Sequence, residues 1–499
     1  MVRSSCTLTY VLLSLAFIIL NVITLGNLAP WVDEVMMLDT SYNMAVHGSW
    51  ETTAWYRVAG QHPFSTYPPL YQLLAAAWIW LFGSSLVVVR SMNLLVTFML
   101  GGTCLRLMTR CGQGATPVTT ALFTLLLWGT GEMAWMYRNG RPDMLCALLF
   151  VCTVLAAASC LSAQSPSARR AVVVASALLF CSGVQAAVCL CAVWLFFFIA
   201  QKGRRKEYVR LFRLLAAGML LGMLLVALFM LAHGRLTAFV CSIIQYSATL
   251  SAISLAVLPW AGEVTGVDTT SYARKLLELT PQSSLCEWLA SAAAYRSFLV
   301  LSVLALAAYA SCFRSRLKAL TGDWGFLMLL CALCVPLVMT LAGRYPVYYR
   351  WMAFLPLLFA VTSIAARCRF WRAVFSVAAV LLTVFGIRSM MPDGQWDSEN
   401  LRAFVQRQHF KPSDAVVCPF SAFYEMKPVC NTCYFAGIFP TELIAHVDYI
   451  IEATDGDEFD RPITDYVNKL KADTTVVLTA TDYCEHPSLT LYHVQTKYE

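Results

Sequence analysis

The feature that most constrains the fold of this chain is a series of long apolar segments that recurs from Thr7 to Met390. A helix that crosses a membrane needs about 20 apolar residues. Hydrophobic residues make up 59% of the 499 residues and charged residues only 13%, which excludes a soluble globular protein. We therefore predict an all-α polytopic membrane domain over residues 1–390. Its eleven predicted spans are 8–28, 87–107, 116–135, 144–162, 171–184, 186–201, 214–232, 293–311, 324–342, 351–366 and 373–390.

The basic residues of the short loops indicate the orientation of the chain, because loops on the inner side of a membrane are rich in Lys and Arg. If the N-terminus lies inside, the loop with Arg106 and Arg110 and every other inner loop carries such a cluster. The outer loops are longer and carry fewer basic residues. This orientation predicts two large outer loops, 29–86 and 233–292, and places the C-terminal part of the chain outside.

Two apolar segments are left out of this count. Residues 70–82 are too few to span the bilayer, so we predict a helix that lies at the outer interface. Residues 239–260 are numerous enough to cross, but they carry Ser, Gln, Thr and Tyr. Counting them as a span would also move a basic loop to the outer side. We predict re-entrant or interfacial helices for this segment.

The composition changes to a mixture of polar and apolar residues after Met391, which predicts a separate soluble α/β domain over residues 391–499. The periodicity of its apolar residues predicts one helix and four strands. These elements are a helix at Ser398–Gln408 and strands at Ala415–Pro419, Val447–Ile451, Thr475–Leu478 and Leu489–Val494.

Four of the 19 cysteines, at positions 418, 430, 433 and 484, lie in this soluble domain. Cys430 and Cys433 have the spacing of one half of a zinc site, but the sequence contains no matching second half. One or two disulfides are the favoured interpretation if the domain faces an oxidising compartment. The remaining cysteines lie mostly in predicted spans, where cysteine behaves as a small apolar residue.

An acidic pair, Asp33-Glu34, follows the first predicted span by a few residues. Apolar residues recur near helical spacing between Asp33 and Gly48, which predicts an amphipathic helix lying along the membrane. Two interpretations of Asp33 stay open: it is the N-cap of this helix, or it is a catalytic carboxylate at the membrane edge. Glu34 is interpreted as a supporting group or as a charge at the helix end.

A second acidic residue, Asp143, follows the segment Arg138-Asn139-Gly140-Arg141-Pro142 on the predicted outer face. A carboxylate beside two arginines suits substrate positioning or metal binding, and it equally suits a salt bridge at the start of a helix. Arginines on the same face suit phosphate binding, or an aromatic belt with snorkelling side chains. These arginines are Arg57, Arg90, Arg138, Arg141, Arg344 and Arg350.

The order and spacing of these motifs resemble the C-type glycosyltransferase (GT-C) superfamily, in the branch of protein O-mannosyltransferases and lipid A aminoarabinose transferases. The resemblance is dense over the first 150 residues and looser beyond them. No single motif is specific, but their combination is fairly specific. The motifs are Trp31-Val32-Asp33-Glu34, Tyr67-Pro68-Pro69-Leu70-Tyr71, Phe82-Gly83 with Arg90, Arg141-Pro142-Asp143-Met144-Leu145, and the aromatic segment from Arg344 to Pro356.

The resemblance implies an enzyme that moves a sugar from a polyprenyl-phosphate donor to an acceptor by direct, inverting displacement. By the same resemblance Asp33 is the general base, and Glu34 and Asp143 position acceptor or donor. Tyr67 stands where better-known members have Lys or His, so it brings a hydroxyl group but no charge to the phosphate. The resemblance leaves open the sugar, the acceptor (lipid, glycan or protein) and a divalent metal. The implied phosphate ligands are Arg344, Arg350, Arg90, Tyr67 and Arg141.

The alternative function is a transporter or flippase for a lipid-linked sugar. Transport pathways carry ionisable residues within spans, whereas here these residues concentrate in outer loops and no internal repeat is visible. The net charge of +7 arises from inner-loop clusters, so the expected partners are the lipid-linked donor and membrane lipids, and not nucleic acid. The sequence contains no Asn-x-Ser/Thr site. This favours a bacterial inner membrane, with the active site and the C-terminal domain on the periplasmic side.

Overall fold

The computed structural model describes residues 2–52, 67–112, 115–163, 165–240, 296–313, 323–341, 349–391, 396–435, 447–454, 460–473 and 475–496. Nearly all of the segment 239–260 lies outside these ranges, as does most of the loop 233–292. The re-entrant helices predicted there therefore stay a prediction.

The chain before residue 391 is helical, as its apolar composition predicts. The helices in the described part of this domain are α1 (Val2–Thr24), α2 (Val32–His47), α3 (Leu70–Phe82), α4 (Leu86–Arg110), α5 (Pro117–Gly129), α6 (Gly131–Tyr137), α7 (Asp143–Ala163), α8 (Pro166–Ser182), α9 (Val184–Ala200), α10 (Arg205–Ala232), α11 (Arg296–Phe313), α12 (Trp324–Leu341), α13 (Arg350–Arg367) and α14 (Arg369–Met390).

Six helices in the described ranges are long and apolar enough to cross a membrane, and five shorter helices are also apolar. The protein is therefore a multi-pass integral membrane protein, while the count of eleven spans stays a prediction. The six long helices are Ser4–Asn27, Leu86–Arg110, Asp143–Ala163, Arg205–Ala232, Arg350–Arg367 and Arg369–Met390.

The segment predicted as the span 116–135 is not one continuous helix, because the chain there forms two helices that meet at Thr130. Thr130 has an extended backbone with φ −83° and ψ 139°. Helix α14 lies directly against this break, since a Cβ atom on Gly386 would be 1.9 Å from the carbonyl oxygen of Gly129. The interruption thus allows close backbone packing between α5 and α14 that a sequence pattern does not reveal.

Helices α4 and α7 run in the same direction, which defines two ends of the membrane domain. Near the start of α4, Asn93 Nδ2 donates to the carbonyl oxygens of Asn139 at 2.5 Å and Arg141 at 2.9 Å, just before α7. At the other end, Arg110 in the last turn of α4 donates to Ser162 Oγ at 2.8 Å. We call the end with Asn139 and Arg141 the acidic end, because Asp33, Glu34 and Asp143 lie there.

The C-terminal region contains a five-stranded mixed sheet with strand order β2-β1-β3-β5-β4. Strand β1 is parallel to β2 and β3, and β5 is antiparallel to β3 and β4. The one predicted helix and four predicted strands are confirmed. The sequence pattern does not predict β2 or α17. The elements are α15 (Ser398–Arg407), β1 (Ala415–Cys418), α16 (Phe423–Met426), β2 (Thr432–Phe435), β3 (Tyr449–Ala453), α17 (Arg461–Ala472), β4 (Val476–Cys484) and β5 (Leu489–Thr496).

The four cysteines of this region are buried free thiols, so the disulfides favoured by the sequence are not formed in this structure. Cys433 nevertheless lies within hydrogen-bonding reach of both Cys418 and Cys430. Cys484 lies apart from them at the end of β4.

Helix α2 is confirmed as a helix, but it does not present a polar face to water, and its predicted position along the membrane stays a prediction. Its residues from Val32 to Asn43 are buried on nearly all sides, and they include the charged residues Glu34 and Asp39. The side that the sequence predicts to face water is covered by Tyr424 and Lys427 of the C-terminal region. The membrane domain and the sheet therefore share one continuous buried core.

Candidate active site

Helix α2 begins at Val32 with Trp31 as its N-cap residue, so Asp33 lies inside the first turn and does not cap the helix. The cap is completed from Glu34, whose Oε2 accepts the backbone N–H of Trp31 at 3.3 Å. The side chain of Asp33 is thereby free of capping and makes an ion pair with Arg141 instead. Of the two interpretations that the sequence left open, the structure excludes the N-cap.

Glu34 forms a fully buried ion pair with Arg90. The Arg90 Nη2 to Glu34 Oε2 distance is 2.7 Å, and both side chains are 0% exposed. Arg90 Nε donates to Glu34 Oε1 at 2.8 Å. Its remaining three N–H groups donate to the backbone carbonyls of Leu25, Leu28 and Ala29. A guanidinium has five N–H donors, and all five of Arg90 are used within the protein.

Because all five of its N–H donors are used within the protein, Arg90 does not suit the phosphate-binding role that the family resemblance implies for it. A phosphate ligand needs donors that point into an open site, and the N–H groups of Arg90 point into the core. The structure instead ties the chain after α1, through Arg90, to the first turn of α2. Arg90 and Glu34 therefore hold the backbone around Asp33 in place.

Arg141 bridges the other two acidic residues of the site. Its Nη1 pairs with Asp33 Oδ2, and its Nε donates to Asp143 Oδ2 at 2.8 Å. The Asp33 side chain is 25% exposed, whereas those of Arg141 and Asp143 are 6% and 5% exposed. Burial lowers the pKa of Arg141, but Asp143 and Asp33 outweigh it and raise that pKa above its usual value. The structure thus brings together two acids that lie 110 residues apart in the sequence.

Trp135 supports two guanidinium groups beside these acids. The Arg141 guanidinium lies 5.7 Å from the centre of the Trp135 ring, and that of Arg350 lies 5.0 Å from it. Trp31 packs against the same ring edge to face at 6.0 Å. An aromatic face attracts cations and fixes their orientation. Arg350 therefore lies in the same small region as Asp33 and Asp143, as the sequence predicts, on a tryptophan that sequence reasoning missed.

Tyr67 also lies near this group. Burial, followed by the negative charge of Asp33, raises the pKa of Tyr67 well above its usual value. Its hydroxyl group is therefore protonated and uncharged at neutral pH. Arg344, the other cation that the sequence predicts, lies outside the described residues, and so does Arg57.

The loop between α6 and α7 is held rigidly against α2. Arg138 donates to Asn21 Oδ1 at 2.9 Å and to Thr24 Oγ1 at 2.8 Å, so its guanidinium anchors the loop to α1. A Cβ atom on Gly140 would lie 2.5 Å from Leu38 Cδ1 and 2.9 Å from Glu34 Oε1. Only glycine allows this approach of the loop to α2, and the approach is what places Arg141 next to Asp33.

The C-terminal region contributes two buried polar contacts to α2 that sequence reasoning missed. Tyr424 donates its hydroxyl proton to Glu34 Oε1 at 3.0 Å. Lys427 Nζ lies 3.0 Å from Asp39 Oδ1, with side chains that are 2% and 0% exposed. No pattern in the sequence marks these two residues, because their burial depends on the packing of the C-terminal region against α2.

The described residues do not fit a divalent metal at this site. A metal between Asp33 and Asp143 would occupy the place taken by the guanidinium of Arg141, which already bridges the two carboxylates. Across the described ranges, no group of three or more His, Cys, Asp or Glu side chains is arranged to hold a metal ion.

No protein-family model and no curated protein sequence matches this chain, but solved structures do. An oligosaccharyltransferase of Archaeoglobus fulgidus in complex with zinc and sulfate matches 89% of this chain and 67% of its own, with 12% identity and a TM-score of 0.53. Its complex with an inhibitory peptide and dolichol-phosphate covers 89% and 69%, with 11% identity and a TM-score of 0.50.

The arabinofuranosyltransferase AftD from Mycobacteria matches 98% of this chain and 40% of its own, with 12% identity and a TM-score of 0.50. ArnT from Cupriavidus metallidurans bound to undecaprenyl phosphate covers 97% of both chains, with 12% identity and a TM-score of 0.47. All three proteins are members of the GT-C superfamily.

The chain has the GT-C fold. The fold class predicted from the sequence, a polytopic helical GT-C domain followed by a small sheet-containing region, is thereby confirmed. The likeness is one of fold, since sequence identity is 10–12% in these comparisons. The roles of individual residues in this protein rest on the geometry described above.

Proposed function

We propose that this GT-C protein is a membrane glycosyltransferase that moves a sugar from a polyprenyl-phosphate donor to an acceptor hydroxyl, with Asp33 as the general base. The observation that carries the proposal is the environment of Asp33. Its carboxylate is partly exposed at the start of α2 and is held by Arg141. Two groups suited to an anionic donor lie near it, Arg350 and the Tyr67 hydroxyl.

The proposed reaction is a single displacement at the anomeric carbon. The acceptor oxygen forms a bond to that carbon, while the bond from the carbon to the phosphate oxygen breaks with both electrons going to the phosphate. Asp33 takes the proton of the acceptor hydroxyl. Arg350, together with Arg344 by family resemblance, offsets the charge that develops on the leaving phosphate. One displacement inverts the anomeric centre.

Arg141 has a supporting role in this proposal. Its guanidinium is committed to Asp33 and Asp143, so it positions the base more directly than it binds phosphate. Asp143 is 4% exposed and holds Arg141 from the far side. The Tyr67 hydroxyl donates to a phosphate oxygen without adding charge. The dolichol-phosphate bound to the archaeal oligosaccharyltransferase of this fold supports a polyprenyl-phosphate carrier as the lipid partner.

The proposed location follows the orientation inferred from the basic loops. The acidic end then faces the periplasm of a bacterial inner membrane, where a lipid-linked sugar and an acceptor meet. The acceptor is a lipid, a glycan or a protein. A flippase would require no base at this position, and Asp33 therefore distinguishes the two functions.

The test uses the full chain in liposomes with a radiolabelled polyprenyl-phosphate sugar and a membrane extract as the source of acceptor. Asp33→Asn should lower label transfer by about 10²–10⁴-fold, the usual contribution of a general base, with donor binding retained. Glu51→Gln, which alters a carboxylate with a 67% exposed side chain, is the control and should transfer label normally.

Two outcomes would contradict the proposed function. If Asp33→Asn keeps transfer within fivefold of wild type, Asp33 is not the base. If wild-type protein moves the labelled lipid across the bilayer and transfers no label, the chain is a transporter. Arg350→Gln should weaken donor binding, and an unchanged donor affinity would exclude Arg350 from the phosphate site.

A further inference from the structure

A cavity lies inside the membrane domain, away from Asp33. It has a volume of about 310 Å³ and is bounded by α4, α7, α9, α10, α12 and α13. This volume falls in the range of small-molecule binding sites, about 300–1,000 Å³. Most of its wall is apolar, with Phe150, Val154, Leu190, Phe197 and Met352 among the lining residues. Such a wall suits a hydrocarbon chain.

The polar groups of this cavity are concentrated where α4 and α7 end. Arg110 and Arg204 both line it. Arg110 Nη2 donates to Ser162 Oγ at 2.8 Å, and Arg204 Nη2 donates to the carbonyl oxygen of Leu161 at 3.3 Å. Their partners are consecutive residues of α7, so the two guanidinium groups lie close together. Arg204 also pairs with Glu207 at 2.5 Å, which leaves Arg110 as the less neutralised of the two.

The position along α7 shows that these arginines lie at the end of the domain opposite the acidic end. Ser162 follows Asp143 by 19 residues, which corresponds to about 28 Å along a helix that rises 1.5 Å per residue. A bilayer has a hydrocarbon core of about 30 Å. Phe150 and Trp351 line the other part of the cavity, where their rings pack edge to face at 5.7 Å.

Two aromatic residues mark the level of the membrane surface near the arginines. Trp194 Nε1 donates to the backbone carbonyl of Tyr208 at 2.9 Å, and both residues line the cavity. Tryptophan and tyrosine concentrate at the level of lipid headgroups. The cavity therefore has a cationic entrance at headgroup level and an apolar interior that extends toward the middle of the bilayer.

We infer that this cavity binds an anionic phospholipid from the membrane leaflet opposite the acidic end. The phosphate is held by Arg110 and Arg204, and one acyl chain fills the space between α7, α10 and α13. Guanidinium groups bind phosphate oxygens with two parallel hydrogen bonds. The sugar donor of the proposed function would carry its phosphate at the acidic end, in the reverse orientation. This site is thus separate from the donor site and does not depend on the proposed function.

The test is native mass spectrometry of the full-length protein after incubation with phosphatidylglycerol or phosphatidylcholine of identical chains. Wild-type protein should retain phosphatidylglycerol at least fivefold more than phosphatidylcholine. The double variant Arg110→Gln with Arg204→Gln should lose this preference. Ala158→Phe, which narrows the apolar interior, should reduce the retention of both lipids. Arg106→Gln, one turn before Arg110 on α4 and not lining the cavity, is the matched control and should behave as wild type.

Two results would overturn the inference. One is an unchanged preference for phosphatidylglycerol in the double arginine variant. The other is displacement of phosphatidylglycerol by polyprenyl phosphate that depends on Arg110, because the cavity would then hold the carrier. Thermal unfolding of each variant in detergent checks its fold, and the arginine substitutions test the inference even if Ala158→Phe does not fold. Loss of glycosyl transfer in the Asp33→Asn variant would leave the lipid preference unchanged.

Discussion

The Glu34–Arg90 pair and the Asp33–Arg141–Asp143 group begin at adjacent residues of α2 but lie in different environments. Both side chains of the first pair are 0% exposed. Asp33 in the second group retains 25% exposure. Successive residues of a helix point about 100° apart, so one turns toward α4 and the core while the other turns toward the loop before α7.

The difference separates a supporting role from a chemical one. Glu34 accepts hydrogen bonds from Arg90, Tyr424 and the Trp31 backbone, so its lone pairs are committed. A carboxylate in that state holds elements together but cannot approach a substrate. Asp33 contacts Arg141 on one side and remains accessible on the other. Within one dipeptide, the buried acid builds the site and the exposed acid is the candidate for its chemistry.

The largest expected effect follows from removing the arginine of the buried pair. Arg90→Ala should lower the free energy of unfolding by about 3–5 kcal/mol, because it leaves the charge of Glu34 buried without its partner. The measurement is the midpoint of thermal unfolding in detergent, together with the yield of folded protein. Arg106→Ala, at an exposed position of the same helix, should shift the midpoint little. Equal midpoints for the two variants would show that the pair is not structural.

The contact between the C-terminal region and α2 provides the second test. Lys427→Ala should lower the free energy of unfolding by about 3 kcal/mol, because Asp39 is then buried without a counterion. Arg402→Ala removes an exposed pair with Glu425 in the same region and should cost at most about 1 kcal/mol. Limited proteolysis between residues 391 and 396 should become faster in the first variant only. Similar behaviour of both variants would contradict the docking role of Lys427.

Gly140→Ala tests the placement of Arg141 beside Asp33. The added methyl group overlaps Leu38 and Glu34, so overpacking should cost about 1–3 kcal/mol of unfolding free energy. The proposed transfer activity should fall together with it, since Arg141 moves away from Asp33. Gly203→Ala is the control, because a Cβ atom there meets no atom within 4 Å. A fully active, fully stable Gly140→Ala protein would show that the loop has another way to approach α2.

The smallest expected effect concerns Tyr424. Burial, and then the charge of Glu34, raises the pKa of Tyr424 well above its usual value of 10.0. The unfolded chain loses this proton first, so the contribution of Tyr424 to stability is complete below pH 10 and decreases as the pH rises further. Tyr424→Phe should cost about 1.5 kcal/mol at pH 8, the value of a hydrogen bond to a charged group. The difference between wild type and variant should then shrink above pH 10; a constant difference would exclude Tyr424 as the titrating group.

Several parts of the fold were predictable from the sequence because they follow from local pattern. Apolar length predicts the membrane helices α4, α7 and α10, a short continuous apolar run predicts β1, and alternation predicts β5. The candidate residues Asp33, Asp143 and Arg350 were also predictable as residue types at the predicted outer face. The orientation of the loops also predicts that their segments meet on one side of the membrane. The contacts that hold them there, the ion pairs of Arg141 and the ring of Trp135, were not predictable, because no spacing rule joins residues that are hundreds of positions apart.

The wrong predictions share one cause. The break at Thr130 and the burial of α2 both depend on which segments pack together. A one-dimensional pattern gives the polarity of each segment but not its neighbours. A helix that the sequence predicts to be amphipathic is buried on nearly all sides when the C-terminal region supplies polar partners for its charged residues, as Tyr424 and Lys427 do.

The sequence by itself determined that this chain is a membrane protein. It also determined which end of the membrane domain carries the acidic residues and which residue types are present there. Those properties follow from the hydrophobic effect and from charge, which act on each segment separately. The tertiary structure alone decided that Glu34 is buried in an ion pair with Arg90 whereas Asp33 stays partly exposed beside Arg141. That choice depends on the loop passing over Gly140 and on the C-terminal region covering α2, contacts that exist only once distant segments have packed.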